Sequence, residues 1–227
     1  MLNFQTIFDW SEAWAPLVPL AVSFRFRKQP AYLRPVLIYL WLSLALHLAA
    51  DIIWKRKPLG LDLPFTNNNP LYNLASIARF FLFSWFFIRL QQPFLTRLKA
   101  LLPYLFIIFM VVDLFFLENF WDTRIANVLH AAEAGLLLFY CLLYYLCLLR
   151  SDAVRIGRMP SFWVVTGLII FVAVCLPIYI YYNDLLKSYV NFAINIWSVP
   201  KIGFLILCLA ITIGLSINKK ANTLPDE

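Results

Sequence analysis

The stretch ANVLHAAEAGLLLFYCLLYYLCLL, residues 126–149, decides the fold class of this protein. It contains one acid, Glu133, and no lysine or arginine, and it is long enough to cross a hydrocarbon core of ~30 Å as a helix. Because lipid offers no hydrogen-bond partners, a lone spanning segment must satisfy its backbone internally, as an α-helix does. The stretch is therefore predicted to be a transmembrane helix.

Six further apolar stretches have comparable character. The mean hydropathy of the chain is +0.77 and 63% of its residues are hydrophobic, which excludes an ordinary water-soluble domain. The seven predicted spans are residues 10–24, 35–54, 71–88, 101–117, 126–149, 161–182 and 192–217. The fold class predicted is all-α, a single domain over residues 1–227 built as a bundle of seven transmembrane helices.

Lysines and arginines fall mainly on alternate connections. Twelve lie after spans one, three and five or in the C-terminal segment: Arg25, Arg27, Lys28, Arg34, Arg89, Arg97, Lys99, Arg150, Arg155, Arg158, Lys219 and Lys220. Five lie on the opposite side: Lys55, Arg56, Lys57, Arg124 and Lys187. The positive-inside rule then predicts an external N-terminus and a cytoplasmic C-terminus in a bacterial inner membrane. Since the basic residues flank apolar stretches, no nucleic-acid partner is expected.

Ionisable residues inside the predicted spans are the main functional clue, because such groups usually face the bundle interior, form pairs or line water. Helical spacing places several of them on shared faces, for example His47 with Asp51 and His130 with Glu133. We expect a polar chamber in the outer half of the bundle that binds a small ligand. Its candidate residues are His47, Asp51, Arg79, Asp113, His130, Glu133, Asn195 and Lys201.

Other interpretations of these residues stay open. Arg79 and Lys201 could each form a buried ion pair that only fixes the register of the helices. Ser43 and His47 resemble the Ser-x3-His element of seven-helix membrane hydrolases of the ceramidase and progestin-receptor type, which implies a zinc site. The last span here has no histidine, so that family's ligand set is incomplete.

The segment Lys201, Ile202, Gly203, Phe204 resembles the surroundings of the Schiff-base lysine in microbial rhodopsins. Two positions depart from that family: Trp197 stands four residues before the lysine, where an aspartate is usual, and Leu82 stands three residues after Arg79. A retinal chromophore is therefore not predicted, and neither a cofactor nor a metal is expected.

Most of the chain resembles a group of uncharacterised seven-helix membrane proteins common in Bacteroidota. The resemblance rests on Glu133 in a leucine-rich helix and on two motifs, Asn69, Pro70, Leu71, Tyr72, Asn73 before the third span and Pro160, Ser161, Phe162, Trp163 with Thr166 and Gly167 at the sixth. It implies a seven-helix fold and no particular activity.

The function predicted is a sensor or receptor-like membrane protein that signals through a separate cytoplasmic partner, rather than an enzyme. A small transporter or proton-linked carrier is the alternative, because intramembrane acids commonly relay protons. An intramembrane metal-dependent hydrolase is the third candidate. The lipid bilayer and an unidentified small ligand complete the expected partners.

Overall fold

The computed structural model of this chain describes residues 8–25, 29–62, 67–90, 92, 95–113, 126–150 and 156–221. This part of the chain is all-helical and forms no β-strand. The α-helices are α1 (Ser11–Trp14), α2 (Leu17–Arg25), α3 (Arg34–Trp54), α4 (Asn69–Arg89), α5 (Thr96–Val112), α6 (Asn127–Leu149), α7 (Pro160–Ser188), α8 (Val190–Ile196) and α9 (Ser198–Ala221). Two short 3₁₀ helices, Ala31–Leu33 and Ile156–Arg158, precede α3 and α7.

Five helical segments are long and apolar enough to cross a membrane. They are Ala31–Trp54, Asn69–Arg89, Asn127–Leu149, Pro160–Ser188 and Val190–Ile217. These correspond to the second, third, fifth, sixth and seventh predicted spans, so the prediction of a helical membrane protein is confirmed.

The first and fourth predicted spans form shorter helices. The first is divided into α1 and α2, because the chain turns at Ala15 and Pro16 between them. The fourth gives α5, which has 17 residues and is followed directly by Asp113; residues 114–125 of the prediction lie outside the described residues. At ~1.5 Å per residue, α5 measures roughly 26 Å.

Contacts between side chains establish how the long helices run. Tyr39 of α3 packs on Phe83 of α4, while Asn68 at the start of α4 donates to the carbonyl of Ala50 near the end of α3, so this pair is antiparallel. Helices α4 and α6 run parallel, since contacts join residue 73 to 130 and 87 to 140. We call the end where α4 and α6 begin the upper end and the opposite one the lower end.

Helices α7 and α9 are antiparallel and pack closely where each has small residues. A Cβ added to Gly167 would lie 2.5 Å from the Cβ of Ala210 and 3.1 Å from the Cα of Leu207. One added to Gly214 would lie 2.8 Å from the carbonyl oxygen of Pro160. Backbones can approach this closely only where no side chain intervenes, and small residues serve that purpose between membrane helices.

The seventh predicted span does not begin as one helix. It opens with the short α8, is interrupted at Trp197 and continues as α9 from Ser198. Lys201 therefore lies in the first turn of α9, two residues before Gly203, which packs against Phe171 near the middle of α7.

The lower half of the bundle is filled by aromatic side chains. The rings of Phe87 and Tyr140 are stacked at a centroid distance of 5.0 Å, and those of Phe80 and Phe106 lie 4.0 Å apart. The fully buried rings are Phe80, Phe83, Phe86, Phe87, Phe106, Tyr140 and Tyr144. Membrane helices associate largely through such van der Waals packing, because lipid is as apolar as the side chains themselves.

Candidate functional site

A buried ion pair between α4 and α6 lies at the centre of the candidate site. Nε and Nη2 of Arg79 donate to the two carboxylate oxygens of Glu133, each at 2.6 Å, and Ser76 Oγ donates to Glu133 at 2.8 Å. The guanidinium carbon also lies 4.8 Å from the ring centroid of Phe171 on α7. The arrangement neutralises both charges in the bundle interior and leaves Nη1 of Arg79 unused by Glu133.

Both histidines of the chain are buried in the same half. His130 Nε2 lies 3.2 Å from Oδ1 of Asn73, and His47 Nδ1 lies 3.0 Å from Oγ of Ser43 on the preceding turn. With the Asn73 oxygen as acceptor, Nε2 of His130 carries the hydrogen and Nδ1 is an acceptor. That Nδ1 is buried and has no hydrogen-bond partner in the structure.

A small cavity lies between these groups in the upper half. The space open to the centres of water-sized molecules is about 20 Å³, which is room for one or two waters. The lining residues are Glu12, His47, Tyr72, Ala75, Arg79, His130, Phe171, Tyr179, Trp197, Pro200 and Phe204. Helices α1, α3, α4, α6, α7 and α9 each contribute at least one of them.

Glu12 is a cavity residue that sequence reasoning did not select. It is only 7% exposed, and its carboxylate accepts one long hydrogen bond from the hydroxyl of Tyr72, at 3.3 Å. Lys201, Arg79 and Lys55 all act on it electrostatically. Its signal in the sequence is an acid inside a short apolar stretch, whereas its position in the cavity depends on how α1 packs against the other helices.

Charged residues lie between the cavity and the end of α3. We call Asp9, Asp51 and Lys55 the rim. Lys55 Nζ lies 4.1 Å from the ring centroid of Trp10, and burial lowers the pKa of Lys55 while the carboxylates of Asp51 and Asp9 act in the opposite direction. Asp51 is buried near the end of α3, and its Oδ2 has no hydrogen-bond partner. The rim thus holds charged groups of both signs that are close without being directly bonded.

The eight predicted site residues are only partly brought together. His47, Arg79 and His130 line the cavity. Glu133 does not line it but accepts hydrogen bonds from Arg79. Lys201 is the residue after Pro200, which lines the cavity. Asp51 lies at the rim. Asp113 is fully buried after α5 and does not line the cavity, and Asn195 is exposed on α8.

Five aromatic residues that line the cavity were also missed: Tyr72, Phe171, Tyr179, Trp197 and Phe204. The ring of Trp197 lies 6.3 Å from that of Tyr72 and 6.4 Å from that of Tyr179. Tyrosine and tryptophan are common throughout this chain, so composition gave no reason to select these. Their role in the cavity is visible only once α8 and α9 are placed.

Over the described ranges, no group of three or more His, Cys, Asp or Glu side chains is arranged to hold a metal ion. The two histidines instead hydrogen-bond to Ser43 and Asn73. The Ser43–His47 element of the predicted hydrolase resemblance is therefore present as a hydrogen bond within one helix.

Comparison of the chain with protein-family models, with curated proteins and with solved structures yields no match. The resemblance to seven-helix proteins of Bacteroidota stays a prediction. What is shown is the class of protein, an all-helical chain with several helices able to cross a membrane.

Proposed function

We propose that this chain is a sensor of the bacterial inner membrane that binds a small ligand in the upper cavity and passes the change to a separate cytoplasmic protein. The observation that carries this proposal is the convergence of six helices on one small, buried, polar cavity. A ligand that enters there contacts side chains of all these helices at once. It is therefore able to favour one arrangement of the bundle over another, which is the physical requirement for a switch.

The proposed topology has seven spans with the upper end outside. Helices α1 with α2, and α5 with the residues that follow it, are counted as the first and fourth spans. Helices α3 and α7 run opposite to α4, α6 and α9. The parallel pair α4 and α6 requires one further span between them, which fits this count. The basic residues described at the lower end, Arg25, Arg34, Arg89, Arg97, Lys99, Arg150 and Arg158, favour the cytoplasm for that end.

The partner is proposed to bind the lower end of the bundle. The connections between helices at that end have at most ten residues, so we assign the output to another protein that binds there. Arg89 and Arg150 are exposed at the lower ends of α4 and α6. Such groups suit a partner surface rich in acidic residues.

The test is whether a change in the cavity alters the lower end. The four native cysteines are replaced by alanine, and spin labels are attached at Leu149→Cys and Ile213→Cys, both exposed positions. Double electron–electron resonance then measures the distance between α6 and α9. His130→Gln is expected to shift the distance distribution. The matched control is Val128→Ala, on the same helix but facing outward. If a folded His130→Gln protein gives the same distances as the control, the sensor proposal is rejected.

A proton-linked carrier is the second candidate, favoured by two histidines and two acids around one cavity. Against it, the lower half offers a continuous aromatic core in place of a polar path. Liposomes that contain the pure protein and a trapped pH dye separate the two functions. A sensor should not accelerate the decay of a pH gradient, whereas a carrier should, and His130→Gln should then abolish the flux.

A further inference from the structure

The charged groups around the Glu12 carboxylate indicate which class of ligand the cavity binds. Three cations from three different helices, Lys201, Arg79 and Lys55, act on its carboxylate. Among the described residues, none of their nitrogen atoms lies within 4.0 Å of it. Glu12 is therefore buried near three cations without a direct ion pair to any of them, and within the described ranges Tyr72 is its hydrogen-bond donor.

The comparison with Glu133 shows how weakly Glu12 is held. Glu133 accepts three hydrogen bonds of 2.6 to 2.8 Å from Arg79 and Ser76, on helices long enough to cross the membrane. Glu12 accepts one of 3.3 Å and belongs to α1, a helix of four residues that is followed by Pro16. Charge-assisted hydrogen bonds that hold a carboxylate firmly are shorter than this.

We propose that the cavity binds a small carboxylate, and that Glu12 fills the anion position in the ligand-free protein until an external carboxylate replaces it. This inference rests on the sensor function proposed above and names the chemistry of its ligand. The incoming group would find the Nη1 edge of Arg79, the hydroxyl of Tyr72 and the ammonium of Lys201. Release of Glu12 breaks the hydrogen bond between α1 and α4, which supplies the structural change that the sensor transmits.

Charge balance explains why replacement is favoured over addition. The chamber and its rim contain the cations Arg79, Lys201 and Lys55, and the acids Glu133, Glu12, Asp51 and Asp9 close to them. An added monoanion would leave a surplus negative charge in a low-dielectric interior, which is strongly unfavourable. Exchange of Glu12 for an external carboxylate leaves the total charge of the chamber unchanged.

Size limits the ligand to a short chain. The cavity alone admits one or two waters, and departure of Glu12 adds the volume of its carboxylate and adjoining methylene groups. Acetate has the same heavy atoms as the end of a glutamate side chain. The aromatic walls formed by Trp197, Phe204 and Tyr179 exclude longer or more polar acids unless these side chains move.

The test uses the full-length protein in lipid nanodiscs with sodium acetate as the probe, at constant ionic strength. Saturation-transfer NMR of the acetate methyl group measures affinity. Because a tethered carboxylate competes at high effective concentration, acetate should bind Glu12→Ala about tenfold or more tightly than the wild type. Asp184→Ala, an exposed acid at the same end, should match the wild type, and Lys201→Gln should bind acetate several-fold more weakly.

Displacement of Glu12 is tested directly in the wild type. With 5-fluorotryptophan incorporated, acetate should shift the ¹⁹F resonance of Trp197, which lines the cavity, and that of Trp10, which holds the segment before Glu12 against Lys55. The two resonances are assigned by their loss in the respective Trp→Phe variants. If Trp197 responds and Trp10 does not, acetate binds without displacing Glu12 and the inference is wrong.

Other outcomes of these experiments also test the inference that a carboxylate replaces Glu12. Equal acetate affinity in wild type and Glu12→Ala, or no acetate binding to either, overturns the inference. If Glu12→Ala does not fold, Glu12→Gln keeps the shape and removes the charge, and tighter acetate binding is again expected. Binding of methylammonium to the wild type that is lost in Glu12→Gln would identify a cation site instead. These results concern the ligand only, so the label distances that test the sensor function can still succeed.

Discussion

The upper and lower halves of the bundle are held together by different interactions. In the lower half, seven aromatic rings are fully buried, and the buried polar side chains of the described residues there are Ser84, Lys99 and Ser161. In the upper half, Arg79, Glu133, Glu12 and two histidines surround a cavity, and some buried polar atoms have no partner. The difference indicates that the lower half maintains the fold, while the upper half keeps polar groups available for binding.

The largest effect is expected from breaking the ion pair. Glu133→Ala would leave the Arg79 guanidinium buried without its counter-charge, and should lower the free energy of unfolding by about 3–5 kcal/mol. Unfolding by sodium dodecyl sulphate in mixed micelles measures this. The double variant Arg79→Met, Glu133→Leu removes both charges and should regain most of the loss. A single variant as stable as the double one would show that the pair is not effectively buried.

A smaller loss is expected from the aromatic core. Phe83→Ala removes about 100 Å³ of packed side chain, and at roughly 24 cal/mol per Å³ of cavity the loss is about 2–3 kcal/mol. The unfolded state in micelles is also apolar, so the transfer part of the usual penalty is small. Phe24→Ala, at a ring that is 61% exposed, is the control and should change stability little. Equal losses at both positions would contradict the packing that we assign to the lower half.

A third prediction concerns the small residues at which α7 and α9 are in close contact. Gly167→Ala would place a methyl group against Ala210 and the backbone of Leu207, and should destabilise by about 1–2 kcal/mol, as overpacking does. Gly135→Ala is the matched control, because its added Cβ meets nothing within 4 Å. The same unfolding titration should show Gly135→Ala neutral or slightly stabilised, since alanine favours helix. If neither substitution lowered the free energy of unfolding, α7 and α9 would not be in the close contact that we describe.

The smallest change in stability is expected from a substitution in the wall of the cavity, at Tyr72. Tyr72→Phe removes the single hydrogen bond to Glu12 and should cost only about 0.5–1 kcal/mol. The same variant should shift the ¹⁹F resonance of Trp10, because Glu12 is then less firmly held. Tyr181→Phe, at an exposed ring, should change neither quantity. A Trp10 signal that does not move would show that Tyr72 has no part in positioning α1.

Several features of the site followed from helical spacing. His130 and Glu133 lie one turn apart on α6 and were expected on one face; Ser76 and Arg79 have the same spacing on α4. The structure places these two faces together. Asp113 and Asn195 were also predicted as site residues because they lie within predicted spans, yet Asp113 is buried away from the cavity and Asn195 is exposed. Spacing determines which face of a helix a residue occupies and leaves undetermined what that face meets.

The amino-acid sequence by itself determined the class of protein, because an apolar segment in lipid has to satisfy its own backbone and therefore forms a helix of predictable length. Only the tertiary structure decided which charges meet. The pairing of Arg79 with Glu133, the entry of Glu12 into the cavity and the late start of α9 depend on how helices distant in the chain pack against one another. That packing arises from many short-range contacts among similar apolar side chains, which the order of residues along one helix does not specify.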